Sequence, residues 1–188
     1  MVASIPVDTS VKELLTKVMP ELTQKAFAET NAVAEFAGTE ITMQVDTSKG
    51  SYSYVLKNGK DIDVNEGQLE NPMVVLKVTE DDIKKMITNQ ELDMLLGMTT
   101  DLTKTKYNCI KNLNGGFNAK LSNEDGSIYD IGVLFNGAGN YKATIKMKTA
   151  DSTSLMRKQA NPMSLFMAGG MQIEGDMAFA LSVQPLFL

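Results

Sequence analysis

From Asn161 to Leu181 the chain reads Asn161-Pro-Met-Ser-Leu-Phe-Met-Ala-Gly-Gly-Met-Gln-Ile-Glu-Gly-Asp-Met-Ala-Phe-Ala-Leu181, and this stretch decides the fold. Asn-Pro is a helix start, because asparagine caps free N–H groups and proline fits the first helical position. The paired glycines end that helix, and Met171 and Ile173 alternate with polar neighbours as in a strand. After a turn, Asp176 caps a final helix that we expect to reach Val183. The stretch therefore predicts a helix, a short strand and a second helix.

Upstream of this stretch, apolar residues that alternate with polar ones predict a sheet. The expected strands are 41–45, 52–56, 73–78, 117–121, 128–135 and 141–147. Helical spacing predicts helices over 10–37 (broken at Pro20), from Thr79 through Ile87, around Leu92–Leu96 with an end at Gly97, and from Asp151. Residues 107–113 fit either a strand or a short helix.

The same order of elements occurs twice. Each half has a hairpin, then a strand that leads into helices. The turns Asn58-Gly59 and Asn136-Gly137 correspond, and Leu76-Lys77-Val78 corresponds to Ile145-Lys146-Met147. This pattern suggests an internal duplication.

The composition narrows the function classes. The 188 residues carry a formal net charge of −5 and no histidine. An acidic surface repels a phosphate backbone, so nucleic acid is not an expected partner. Without histidine there is no Ser-His-Asp or Cys-His pair and no HExxH zinc site. We therefore expect no catalytic residues, no metal and no cofactor.

Cysteine content and the N-terminus bear on the compartment. The lone Cys109 rules out an internal disulfide and fits a reducing environment. Residues Met1–Asp8 contain neither the basic nor the apolar region of a secretory signal, and no run approaches the roughly 18 apolar residues of a transmembrane helix. We expect a cytoplasmic protein.

The stretch Tyr141–Leu188 resembles the sterol carrier protein type-2 lipid-transfer family. The family pattern is an Asn-Pro helix, then Gly-Lys-Leu-x-Ile-x-Gly-(Asp/Asn)-Met and a closing helix, and Gly170-Met-Gln-Ile-Glu-Gly-Asp-Met177 is the most specific match. Methionine replaces the usual lysine after Gly170, and the connection after Asn136-Gly137 is short. Extended backwards, the resemblance covers about 105–188.

Residues 10–104 are similar to the early part of the same domain. They lack a Gly-x-x-Ile-x-Gly-Asp-Met element, so this half is degenerate or is completed by residues 105–121. We therefore predict a degenerate half over 10–104 and a lipid-binding half over 105–188, with one continuous domain over 1–188 as the alternative.

The resemblance implies an α+β fold in which a mainly antiparallel β-sheet is covered on one face by helices. It also implies a carrier that binds a fatty acyl chain, a sterol-like molecule or another lipid in a hydrophobic tunnel without transforming it. Methionine suits such a tunnel because its unbranched thioether repacks easily, although a single methionine is more often a core residue. The predicted lining residues are Phe135, Met147, Leu155, Met156, Met163, Phe166, Met167, Met171, Ile173, Met177 and Phe179.

Two other functions stay open. A structural or interaction module could keep the fold and fill the cavity with bulky side chains. A histidine-free enzyme could use carboxylates, but Glu80-Asp81-Asp82 and Asp176 are better explained by their positions at helix N-termini.

A group of basic residues offers two further contacts. These side chains could bind an acyl carboxylate or make transient contact with an anionic membrane surface, although such residues usually form a solvated face. They are Lys142, Lys146, Lys148, Arg157 and Lys158. A homo-oligomer stays open.

Overall fold

The computed structural model describes residues 5–188, so the first half of the segment in which we predict no secretory signal lies outside the described residues. The strands are β1 (Glu40–Asp46), β2 (Ser51–Lys57), β3 (Asp61–Glu66), β4 (Val74–Lys77), β5 (Gly115–Ser122), β6 (Ile128–Phe135), β7 (Ala143–Lys148) and β8 (Met171–Gly175). The α-helices are α1 (Val11–Glu13), α2 (Met19–Glu29), α3 (Ala32–Glu35), α4 (Glu80–Asn89), α5 (Asp93–Thr100), α6 (Lys104–Asn112), α7 (Thr149–Met156), α8 (Pro162–Met167) and α9 (Met177–Ser182). A π-helical segment (Leu14–Val18) joins α1 to α2, and a 3₁₀ helix (Gln184–Phe187) follows α9.

The eight strands of residues 5–188 form one sheet in the order β3-β2-β1-β4-β6-β5-β7-β8. Only β1–β4 and β5–β7 pair in parallel, and the other neighbours are antiparallel. Side chains alternate between a buried face and an open one: Phe117 and Ala119 are buried, whereas Asn118 between them is partly exposed. The helices cover the buried face, and the α+β prediction is confirmed.

The sheet contains two overlapping five-stranded units with identical pairing. From β3 to β6, and again from β4 to β8, the pairs run antiparallel, antiparallel, parallel, antiparallel. Strands β4 and β6 belong to both units. The last strand of the first unit is therefore β6. Residues 105–121 form most of α6 and most of β5, which pairs with β6 and β7, and whether they complete the first half stays a prediction.

The two corresponding turns have the same backbone. Asn58 and Gly59 have φ of 57° and 59°, and Asn136 and Gly137 have φ of 51° and 75°. Consecutive positive φ values are typical of a type I′ turn, for which Asn-Gly is the favoured sequence. Asn58-Gly59 joins β2 to β3, a strand that the sequence analysis missed.

The N-terminal helical run is continuous through Pro20. The π-helical segment precedes the proline, and the Met19 N–H donates to the Leu14 carbonyl five residues earlier. A π-turn changes the register of the ladder, so that the missing N–H of Pro20 does not break the helix. The predicted break at Pro20 is wrong, and α2 ends at Glu29.

Two helix boundaries also differ from expectation. Helix α5 continues past Gly97 to Thr100, since Gly97 lies against the Met156 methyl group and serves close packing. Residues 107–113, left open between strand and helix, belong mainly to α6, whose N-terminus is capped by Thr103 through the Lys106 N–H.

Candidate functional site

An apolar cleft lies in the second half between α8, strands β7 and β8, α9 and the 3₁₀ helix. Its lining residues are Ile145, Pro162, Met163, Phe166, Met171, Ile173, Ala180, Leu181, Val183, Gln184 and Phe187. The cleft holds about 30 Å³, which is room for one or two water molecules.

Two caps place the helices of the cleft. The Asn161 Oδ1 accepts hydrogen bonds from the N–H groups of Met163 (2.9 Å) and Ser164 (3.2 Å), which starts α8. The Asp176 carboxylate accepts from the Phe179 N–H at 2.9 Å and starts α9. The backbone N–H of Asp176 also donates to the Lys142 carbonyl at 2.8 Å, which ties the start of α9 to the approach of β7. Both caps confirm the interpretation made from sequence.

The electrostatic character of the cleft is uniform. None of its lining residues carries a titratable side chain, and Gln184 is the single polar one. No hydrogen bond joins the Gln184 amide side chain to any residue in 5–188. A group inside the cleft therefore meets apolar surface and one neutral amide.

The sequence-predicted residues divide into those that meet in the cleft and those that do not. Met163 and Phe166 on α8 face Met171 and Ile173 on β8 across it. The spacing of three and four residues predicts that Met163, Phe166 and Met167 share one face of the helix. Met163 and Phe166 both line the cleft, whereas Met167 is 80% exposed and does not.

The other predicted residues do not line the cleft, and they fall into two groups. Four are buried in the core below the sheet: Phe135, Met147, Leu155 and Phe179. Three lie outside the core: Met156 lines a separate groove, and Met167 and Met177 are 80% and 39% exposed. Met167 directly follows Phe166, and in a helix consecutive residues point about 100° apart. Whether any of these residues contacts a ligand stays a prediction.

The sequence analysis missed most of the C-terminal wall of the cleft. The missed residues are Ile145, Pro162, Ala180, Leu181, Val183, Gln184 and Phe187. Two signals were available: Ile145 alternates with Ala143 and Met147 on the buried face, and Ala180, Val183 and Phe187 recur at spacings of three and four.

Phe187 closes the inner end of the cleft. Its ring centroid lies 6.3 Å from that of Phe117, and Phe117 in turn lies 6.2 Å from Phe135. The aromatic series therefore separates the cleft from the core around β5 and β6.

Three of the basic residues considered from sequence form ion pairs: Lys146, Arg157 and Lys158. Lys146 pairs with Glu174 at 2.5 Å across β7 and β8, and Lys158 pairs with Asp101 at 3.2 Å. The Lys142 ammonium lies 5.6 Å from the centroid of the Phe179 ring. Together these cations do not form one basic patch.

The acidic run Glu80-Asp81-Asp82 occupies the first turn of α4. The Thr79 hydroxyl accepts a hydrogen bond from the Asp82 N–H, and Lys49 pairs with Glu80 at 3.1 Å. Negative charge here complements the helix N-terminus, as the sequence analysis expected.

Within residues 5–188, the helices are all too short or too polar to cross a bilayer.

Known proteins resemble this chain in structure and, over its second half, in sequence. The chain is similar in structure to the apo form of sterol carrier protein 2 from Yarrowia lipolytica (18% identity, 53% of this chain and 88% of that one, TM-score 0.38). It is also similar to the sterol carrier protein domain 2 of Helicoverpa armigera (22% identity, 54% and 84%, TM-score 0.37). No curated protein gives a significant sequence match. Residues 102–188 match the SCP-2 sterol transfer family, and the resemblance of this half to that family is confirmed.

Proposed function

We propose that the second half of this chain is a carrier for an apolar lipid, of the fatty acyl or sterol-like class, which it holds in the cleft between α8, α9, β7 and β8. The observation that carries the proposal is the position of the cleft: all its lining residues, Ile145 to Phe187, lie inside the region that matches the SCP-2 family. That match supports a lipid-binding or lipid-transfer domain.

The chemistry of the lining supports carriage rather than reaction. Transfer of aliphatic groups from water to such a surface is favourable by about 0.8 kcal/mol for each CH₂. A charged headgroup would lose its hydration without gaining a partner there. The ligand therefore enters the cleft through its apolar part, with at most one neutral polar group near Gln184.

The size of the cleft requires a conformational change. Pockets for drug-sized ligands hold roughly 300–1,000 Å³, at least about ten times the 30 Å³ of this cleft. Helix α8 is the element that we expect to move, because it has six residues and its outer face exposes Met167. Gly169, with φ of 77°, follows it and joins it to β8. Outward movement of α8 enlarges the cleft without disturbing the sheet.

A matched pair of variants tests the proposal. Phe166→Asp places a charge in the cleft, whereas Met167→Asp places the same charge on the exposed face of the same helix. We expect Phe166→Asp to weaken binding of a fluorescent fatty acid by at least about 30-fold, since burying an unpaired charge costs about 2 kcal/mol or more. Met167→Asp is expected to bind as the wild type does. Equal binding by both variants would place the ligand elsewhere.

A second candidate function is an interaction module that has lost the cavity. The volume of about 30 Å³ favours it. Native mass spectrometry and organic extraction of freshly purified protein separate the two functions. Bound lipid mass supports the carrier. Protein that carries no co-purified lipid and binds no added acyl chain, acyl-CoA or sterol supports the interaction module.

A further inference from the structure

A second and much larger groove lies between α2, α5 and the C-terminal end of α7, on the side of the molecule that joins the two halves. It holds about 630 Å³ and is lined by Leu22, Lys25, Ala26, Glu29, Asp93, Leu96, Gly97, Thr100, Asp101, Met156, Arg157 and Gln159. This volume falls in the range of small-molecule sites, which often lie between packed helices.

The floor of the groove is apolar. Leu22 and Ala26 come from α2, Leu96 from α5 and Met156 from α7. The Met156 methyl group lies over Gly97, where a Cβ atom would stand only 2.3 Å from it. A glycine at this position therefore lets a methionine lie flat across the floor.

A guanidinium group is fixed at one wall. Arg157 donates from Nε to Asp93 Oδ1 at 2.8 Å and from Nη2 to Asp93 Oδ2 at 3.1 Å. Asp93 is only 3% exposed, whereas the Arg157 side chain is 45% exposed. The buried carboxylate holds the guanidinium in one orientation, and Nη1 makes no hydrogen bond to any residue that the structure describes. A preorganised donor of this kind suits a carboxylate or phosphate group.

Two cations of the groove are open to a ligand. The lining carries Lys25 and Arg157 beside the carboxylates of Glu29, Asp93 and Asp101. Lys106 (2.6 Å) and Lys158 (3.2 Å), which lie outside the lining, both pair with Asp101 and offset its charge. Lys25 is only loosely paired with Glu29 at 3.9 Å, so its ammonium and the free edge of Arg157 are the groups that an anion can reach.

We propose that this groove is a separate binding site for an anionic amphiphile, with its acidic head at Arg157 and Lys25 and its aliphatic chain over the apolar floor. The head is a carboxylate or a phosphate monoester. The cleft below α8 differs because its lining has no charged group, so it holds only the apolar part of a ligand, whereas the groove also binds the acidic head. The inference does not depend on lipid carriage by the cleft.

Methionine methyl groups report on the two sites separately. Protein labelled with ¹³C at the methionine methyl groups is titrated with dodecanoate, dodecyl phosphate and dodecyltrimethylammonium, each kept below its micelle concentration. Met156 reports on the groove, and Met163 and Met171 report on the cleft. We expect a saturable shift of the Met156 methyl signal with one or both anions and none with the cation. The anion that binds more tightly identifies the head.

Paired variants on α2 locate the site. Ala26→Trp fills the groove, whereas Ala28→Trp adds the same ring to an exposed position on the same helix. Lys25→Gln removes a groove cation, and Lys17→Gln removes an exposed lysine outside the groove. We expect Ala26→Trp to abolish the Met156 shift, Lys25→Gln to weaken anion binding about fivefold, and both controls to bind normally. The inference is overturned if Met156 does not respond to either anion, if the cation binds equally well, or if each variant and its control behave alike.

Discussion

The Asp93–Arg157 pair provides the sharpest test of how the two halves are joined, because Asp93 belongs to α5 and Arg157 follows α7. We consider Arg157→Ala. Loss of the guanidinium removes two hydrogen bonds of 2.8 and 3.1 Å and leaves a carboxylate that is 3% exposed. Breaking a fully buried pair costs about 3–5 kcal/mol, and breaking an exposed pair costs about 0–1 kcal/mol.

The expected cost lies between these limits. Arg157 is half exposed, so water from the groove reaches part of the orphaned carboxylate, and we expect a loss of about 2–3 kcal/mol in the free energy of unfolding. For a chain of this length that corresponds to a fall in Tm of about 4–12 °C. Urea denaturation followed by circular dichroism measures the first quantity, and a thermal melt measures the second.

Two further variants identify the cause. Asp93→Asn in the Arg157→Ala background removes the buried charge and is expected to recover most of the lost stability. Lys120→Ala removes an exposed partner that lies 3.7 Å from Asp130, and is expected to cost less than about 0.5 kcal/mol. If Arg157→Ala costs no more than Lys120→Ala, or if asparagine at position 93 recovers nothing, the buried charge does not determine the effect.

Two more predictions follow from buried or enclosed polar groups. Burial raises the pKa of the Tyr54 hydroxyl above its ordinary value, so that above a pH of about 10 the unfolded chain ionises first and the free energy of unfolding falls. Between pH 9 and 11, the urea concentration at which half of the protein is unfolded should fall more steeply with pH for the wild type than for Tyr54→Phe. Equal dependence on pH in the two proteins would contradict this prediction. Gln184→Leu is expected to weaken binding of a neutral alcohol such as dodecanol about fivefold and to leave binding of a plain alkane unchanged, as measured by displacement of a fluorescent probe. Gln172→Leu, exposed on β8, is its control, and a loss that is the same for alcohol and alkane would show that the Gln184 amide does not select the head.

Local signals in the sequence were sufficient for most elements. Asn161 and Asp176 each cap the helix that they were expected to cap, because a cap depends only on residues two or three positions away. Ser10 and Thr79, at the expected starts of two other helices, also act as caps. The strand 128–135 was predicted at its observed bounds for the same reason, since alternation over eight residues is a strong signal.

Features that depend on residues distant in sequence could not be predicted from these local patterns. Strand β3 was missed because Ile62 and Val64 alternate with acids at the edge of the sheet and stay only half buried. The continuous helix through Pro20 needs a π-turn one turn earlier, which has no simple sequence signal.

The site was predicted only in part for a related reason. Composition directed attention to the methionine-rich region that contains the cleft, but it did not distinguish Met171, which lines the cleft, from Met156, which lines the groove. Both are thioethers in amphipathic surroundings. The difference arises from which helix packs against each, and Phe187 and Gln184 line the cleft because the 3₁₀ helix that carries them packs against α6 and α9.

The overlap of the two units accounts for the position of the apolar cleft at β7 and β8. In the second unit Ile145 and Ile173 are paired on β7 and β8 and line the cleft. Their counterparts in the first unit are Leu76 and Val133, which are paired on β4 and β6, and both are 1% exposed. Strand β6 cannot leave space beneath it, because it also provides the second strand of the other unit and contributes to that unit's core. The terminal strand β8 is shared with no other unit, so the helices that cover it are free to separate from it, and the cleft lies at this end of the sheet.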